Sequence, residues 1–136
     1  PAAAIMAAEL AELADFFSIG ANDLLQYTVA SDRTNAAVAY LYQSMQPAVL
    51  RLIRRIAEAG RLAGKAVAVC GEMAGDTRVA PLLMGMGVDE LSMAPPSLPA
   101  VRAALMRTSA RKLLETVERI GHLKTVGEVE EASGEL

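Results

Sequence analysis

Two short apolar runs, each stopping abruptly in small or polar residues, constrain this chain more than any other feature. Phe16 to Ile19 is apolar on nearly every residue and ends at Gly20, with Asn22-Asp23 just behind it. Val67 to Val69 ends in the same way at Cys70-Gly71-Glu72. A run with so little polar alternation suits a strand buried on both faces rather than one with a wet side. A parallel strand whose C-terminal end opens into a site stops like this, so polar groups from two successive strand ends are expected to point into one mouth.

The segments around these runs read as helices. Pro1 to Ala14 places Pro at a tolerated first-turn position ahead of good helix formers, with Ile5, Met6, Leu10 and Leu13 on a broad apolar side. Leu24 to Ala30 is predicted helical, Ser31 to Thr34 a polar loop, and Ala36 to Tyr42 a further helix. Pro47 opens an amphipathic helix to about Ala63, with Val49, Leu50, Ile53, Ile56 and Ala57 inward, Arg51, Arg54, Arg55 and Glu58 outward, and Gly64 as its stop. Asp76-Thr77 caps a helix through Val79 to Met84, and Gly85-Met86-Gly87 turns the chain toward a third strand at Glu90 to Met93. After the rigid exit at Pro95, Pro96 and Pro99 comes a helix near Pro99 to Met106. From Thr108 the chain is charged and weakly periodic, with a helix at Ser109 to Ile120, a break at Gly121, a short second helix and a fraying end from Ser133. Strands alternating with helices are the grammar of βα crossovers and favour an α/β fold with a parallel sheet.

The stretches SIGANDLLQYTVASDR, VCGEMAGD, MGMGVDELSM and APPSLPAVR, in this order and spacing, resemble the C-terminal phosphoenolpyruvate-binding barrel of Enzyme I, the phosphoenolpyruvate-protein phosphotransferase of the bacterial sugar phosphotransferase system. The resemblance runs from Pro1 to about Arg107. A complete TIM (β/α)8 barrel takes about 250 residues, and the chain has 136. The expectation is therefore a partial barrel: about three parallel strands with their helices over residues 1–107, then a helical C-terminal tail over 108–136. The chain starts at Pro1 within an Ala-rich segment, which reads as a piece of a longer polypeptide.

The resemblance also distributes roles. A bare Asn-Asp after a strand is ordinarily a turn or a helix cap; in the family, the residue matching Asn22 helps hold the substrate phosphate and the one matching Asp23 binds Mg2+. Phosphoenolpyruvate crowds a phosphate against a carboxylate, which calls for a hard cation with oxygen ligands and for neutral donors. The family's other protein ligand to the metal is a glutamate upstream of the stretch matching Pro1. Arg33, alone a solvated arginine, resembles one of the arginines that clamp the phosphate with a planar fork. Gly20 matches a glycine at the substrate's edge, and Ala21 departs from the threonine usual beside it. Cys70 matches the acid that protonates the methylene carbon of enolpyruvate to give pyruvate, a role that needs the thiol protonated at the right moment; Glu72 is a supporting candidate that would orient Cys70 or a water. His122 is set aside, because the family's phosphohistidine belongs to a separate, earlier domain. Met84, Met86 and Met93 are read as packing residues.

Composition narrows the partners. The net charge is −3, with 13 basic and 16 acidic residues, and no basic stripe is present, so nucleic acid is not expected. No apolar stretch is long enough to insert in a membrane and no signal-peptide pattern is present. One cysteine excludes an internal disulfide framework, which fits a reducing cytoplasm. The resemblance implies Mg2+ as cofactor, phosphoenolpyruvate and pyruvate as substrate and product, and the phosphohistidine domain and HPr as partners through the parent enzyme. The 136 residues alone are expected to be inactive. Phosphoenolpyruvate synthase and pyruvate phosphate dikinase share the barrel and are the alternative parents, although CGEMAGD and LSMAPP look more like Enzyme I. A third reading is a non-catalytic oligomerisation module, since an incomplete barrel exposes a sheet edge and apolar helix faces that need covering, by a homo-oligomer or by more of a larger chain.

Overall fold

The computed structural model describes residues 1–32 and 34–136. Three strands, β1 (Phe17–Gly20), β2 (Val67–Cys70) and β3 (Glu90–Ser92), form a parallel sheet in that order among the described residues. Phe17 pairs with Val67 and Gly20 with Cys70, while Cys70 also pairs with Ser92, so the C-terminal ends of the three strands are level. This is the expected α/β arrangement, an open parallel sheet as in part of a barrel, followed by a helical tail.

The crossover from β1 to β2 runs through α3 (Ala21–Val29) and α4 (Pro47–Ala63). In α4, Pro47 occupies the first turn, Gly64 takes the left-handed conformation at φ 66° just beyond the end, and Val49, Leu50, Ile53, Ile56 and Ala57 are buried. That stripe lies in one apolar cluster with Ile19, Val67 and Val69 of the sheet. The crossover from β2 to β3 uses two short helices, α5 (Glu72–Gly75) and α6 (Ala80–Gly85), the first of which the sequence pattern does not signal. Leu82 and Leu83 of α6 are fully buried, and Asp76 Oδ1 accepts the Arg78 amide at 2.8 Å to close the turn between the two helices.

Several expectations change in detail. The strands are not buried on both faces: Ile19, Val67 and Val69 point under α4, whereas Ser18 and Gly20 are exposed and Ala68 and Cys70 half-buried. Helices cover one side of this sheet, and the side chains on the other side are small or polar. The first helix is interrupted at Met6, giving α1 (Ala2–Ile5) and α2 (Ala7–Ala11), and the Ile5 carbonyl at the break accepts Arg55 Nε at 3.1 Å. Ala4, Ala7 and Ala11 are its buried residues, since small side chains let the backbone approach α4, while Ile5, Met6, Leu10 and Leu13 face outward. Residues 36–42 hold only a 3-10 turn, Ala39–Leu41. Ahead of it, Asp32 and Asn35 take the Thr34 and Ala37 amides on their side chains, diverting donors from a helical ladder. Met86 and Met93 pack in or against the core as expected, whereas Met84 is partly exposed.

Beyond β3, α7 (Leu98–Arg107), α8 (Ala110–Ile120) and α9 (Val126–Ser133) complete the chain. Val117, Ile120, Val129 and Ala132 join the same apolar cluster as the sheet. The outward arginines of α4 hold this segment: Arg51 donates to the carbonyls of Gly121 at 3.1 Å and Leu123 at 2.7 Å, and Arg54 pairs with Glu118. Near the end, Arg119 pairs with Glu135 at 2.8 Å. A capping box starts α9, with Thr125 and Glu128 exchanging side-chain and backbone bonds, and the amides of Lys124 and Thr125 hold the Glu128 carboxyl below the usual range. No helix among the described residues is long and apolar enough to cross a membrane.

Candidate functional site

The mouth of the sheet is built by three backbone events. Gly20 ends β1 and caps α3, so Asn22 and Asp23 lie in the first turn of a helix rather than in a loop before it. Cys70 ends β2 opposite Gly20, and its sulfur lies 3.5 Å from the Ile19 carbonyl in donor geometry, bridging the two strand ends. Gly71 then turns the chain at φ 105° and ψ −166°, a conformation that L side chains rarely adopt. A Cβ there would lie 3.1 Å from Asn22 Oδ1, so the Asn22 amide rests directly against the Gly71 backbone.

These events bring Asn22, Cys70 and Glu72 together. They line an open hollow of ≈ 580 Å3 together with Gly71, Gly75, Asp76, Ser92 and Ser97. Ser92 and Ser97 were not singled out in the sequence; the signal available was that Ser92 falls at the end of the third apolar run, level with Cys70. Gly20 and Asp23 do not line this hollow. They line a separate groove of ≈ 240 Å3 on the other side of α3, with Ala4, Leu10, Phe17, Ile19, Leu24 and Tyr27 among its walls. The separation is a helical consequence: successive residues on a helix diverge by about 100°, so Asn22 and Asp23 face different sides. Arg33 lies outside the described residues, and His122 is exposed in the turn after α8.

Gly20 has an ordinary φ of −74°, and nothing in the protein lies within 4 Å of the place a Cβ would occupy. Neither backbone conformation nor packing requires glycine there. Its missing side chain leaves open space at the strand end. For a metal ion, Asp23 supplies one carboxylate, and among the described residues no group of three or more His, Cys, Asp or Glu side chains stands close enough to hold one. Mg2+ commonly keeps waters and takes one or two carboxylates together with substrate phosphate oxygens. Asp23 fits one such ligand and does not make a site alone.

Residues 1–110 match the family described as PEP-utilising enzyme, PEP-binding domain. The chain belongs to this family. Among curated proteins it is 48% identical over 128 residues to the phosphoenolpyruvate-protein phosphotransferase of Latilactobacillus sakei, covering 94% of this chain and 22% of that protein. The protein of that name from Lactococcus lactis subsp. lactis is 50% identical over 115 residues, 85% of this chain and 20% of its own length. That from Streptococcus equinus is 46% identical over 136 residues, 99% and 24%. The chain thus spans about a fifth of the length of the curated relatives it matches. The PEP-binding family match and the parallel sheet agree with the resemblance drawn from the strand ends.

Proposed function

We propose that these residues are the last part of a phosphoenolpyruvate-binding barrel, 1–107, with a helical tail, 108–136, in an enzyme that passes a phosphoryl group from phosphoenolpyruvate to an enzyme histidine and on to HPr in the cytoplasm. The observation that carries this reading is the shared hollow of Asn22 and Cys70 at neighbouring parallel strand ends. Ligands of parallel α/β sheets bind at that end of the strands.

In this reading the Asn22 amide and the Arg33 guanidinium bind the substrate phosphate, and Gly20 leaves room at the substrate's edge. Asp23, which faces the neighbouring groove across the first turn of α3, would give one ligand to Mg2+, whose chemistry when bound is to neutralise phosphoryl charge. Cys70 acts as the acid: its thiol donates to the Ile19 carbonyl at the mouth of the sheet. That proton goes to the methylene carbon of enolpyruvate once the phosphoryl group has left, giving pyruvate. Glu72, which lines the same hollow, orients Cys70 or a water. A homo-oligomer is proposed through the free edge of β1 and the apolar groove beside it, because Leu10 and Tyr27 of that groove stand 39% and 68% exposed.

The test is a titration of the isotope-labelled 136-residue chain with phosphoenolpyruvate and Mg2+, followed by NMR. Saturable shifts are expected at Gly20, Asn22 and Gly71 and not in α8 or α9, with no pyruvate released. Absence of saturable shifts at the mouth sinks the site, and Mg2+-dependent pyruvate release by this chain alone sinks its proposed inactivity.

A further inference from the structure

A glycine stands at each end of α5, and a polar side chain rests against each. A Cβ on Gly71 would lie 3.1 Å from Asn22 Oδ1, and a Cβ on Gly75 would lie 3.3 Å from Ser97 Oγ. Both distances are tighter than ordinary side-chain contact, so at both ends the missing Cβ leaves room for a polar group that borders the hollow. Ser97 is fixed there by its backbone. It closes the 3-10 turn Pro95–Ser97, its amide donates to the Ala94 carbonyl at 3.0 Å, and the two prolines restrict the turn. Ser97 also stands at the start of α7, yet its hydroxyl does not cap that helix. Ser92 ends β3 level with Cys70, and both serines line the hollow. Among the described residues neither hydroxyl has a hydrogen-bond partner. Asp76, which lines the same hollow, is engaged by Arg78: Oδ1 accepts the amide at 2.8 Å and Oδ2 pairs with the guanidinium at 3.3 Å.

We propose that Ser92 and Ser97 are ligand-binding residues, whose hydroxyls donate to the carboxylate end of a phosphorylated three-carbon acid across the hollow from Asn22. This rests on the reading of the mouth as a phosphoenolpyruvate site with the phosphate on Asn22. The strands run in the order β1, β2, β3, so Asn22 follows one outer strand, Cys70 ends the middle one and Ser92 ends the other. Neighbouring strands lie about 4.8 Å apart, which sets the two outer strand ends about 10 Å from each other. A ligand with a phosphate at one end and a carboxylate at the other spans that width with a hydrogen bond of about 2.8 Å on each side. Cys70 then stands beside the carbon skeleton between them.

The experiment is an NMR titration of the 136-residue chain in the presence of Mg2+, with phosphoenolpyruvate and separately with inorganic phosphate, followed at Asn22 and Gly71. One net hydrogen bond corresponds to a roughly fivefold change in affinity, and Ser92→Ala and Ser97→Ala are each expected to raise the apparent Kd for phosphoenolpyruvate by about that factor. Inorganic phosphate has no carboxylate to reach the serines, and its Kd is expected to change by less than about twofold. Ser92 is exposed, so Ser92→Ala serves where Ser97→Ala disturbs the native spectrum. Gly75→Ala retains both hydroxyls but presses a methyl group onto Ser97, and is expected to weaken phosphoenolpyruvate in the same direction. A serine that only packs against Gly75 changes stability on truncation and leaves the ratio of the two affinities as it was. A ratio unchanged in both serine variants, with neither ligand weakened or both weakened alike, overturns the proposal while leaving the site at Asn22 intact. No saturable binding of phosphoenolpyruvate by wild type overturns the site itself, and this inference with it.

Discussion

The hollow at Cys70 and the groove along β1 meet at the first turn of α3 and share almost no chemistry. The hollow carries an amide, a thiol, two carboxylates and two hydroxyls, and its backbone is bent at Gly71 beside Asn22. The groove is walled by alanines, leucines and aromatic rings, with Asp23 at its rim. One side of the helix presents polar groups to an open hollow; the other presents a largely apolar surface. The two glycines at the strand ends show the same division. At Gly71 the protein itself demands glycine, through a positive φ and the Asn22 amide, whereas at Gly20 nothing in the protein does.

That contrast can be broken at three points, taken from the largest effect down. Gly71→Ala forces a side chain into a glycine-only conformation and onto Asn22, which is expected to cost about 1–3 kcal/mol in urea unfolding and to abolish the Asn22 shifts on adding ligand. A stability within error of wild type would show that the turn is not strained. Tyr27→Lys places a charge on the apolar groove, where loss of an aromatic anchor commonly costs 1 kcal/mol or more, roughly fivefold in association. Sedimentation is expected to show a concentration-dependent oligomer for wild type and a weaker one for the variant; a sharp monomer at high concentration for wild type removes the proposed assembly. Gly20→Ala should change stability by no more than about 0.5 kcal/mol, yet weaken phosphoenolpyruvate binding by filling the open space. A variant that binds like wild type would separate Gly20 from the substrate.

Much of this was legible in the residues. Phe17 to Gly20 and Val67 to Cys70 stop where their side chains change character, and the stripe from Val49 to Ala57 announces its buried face. What escaped depends on long-range geometry. The arginines of α4 read simply as outward-facing, but Arg51 and Arg54 hold carbonyls and a carboxylate of α8 and the turn after it, more than sixty positions away. Ile5, Met6, Leu10 and Leu13 read as the apolar side of the first helix, but alanines are the side chains small enough to meet α4 closely. Asn22 and Asp23 read as one mouth; the helix that begins at Ala21 turns them apart. The kind of residue at a strand end is local information, and the direction it faces is set by the element that follows.

Cys70, the single cysteine of the chain, makes the central claim directly measurable. The rate of its alkylation by iodoacetamide should fall at least about fivefold at saturating phosphoenolpyruvate and Mg2+, because a ligand on Asn22 covers the sulfur in the shared hollow. An alkylation rate unchanged by ligand, under conditions where the Asn22 resonances show it bound, would contradict the account.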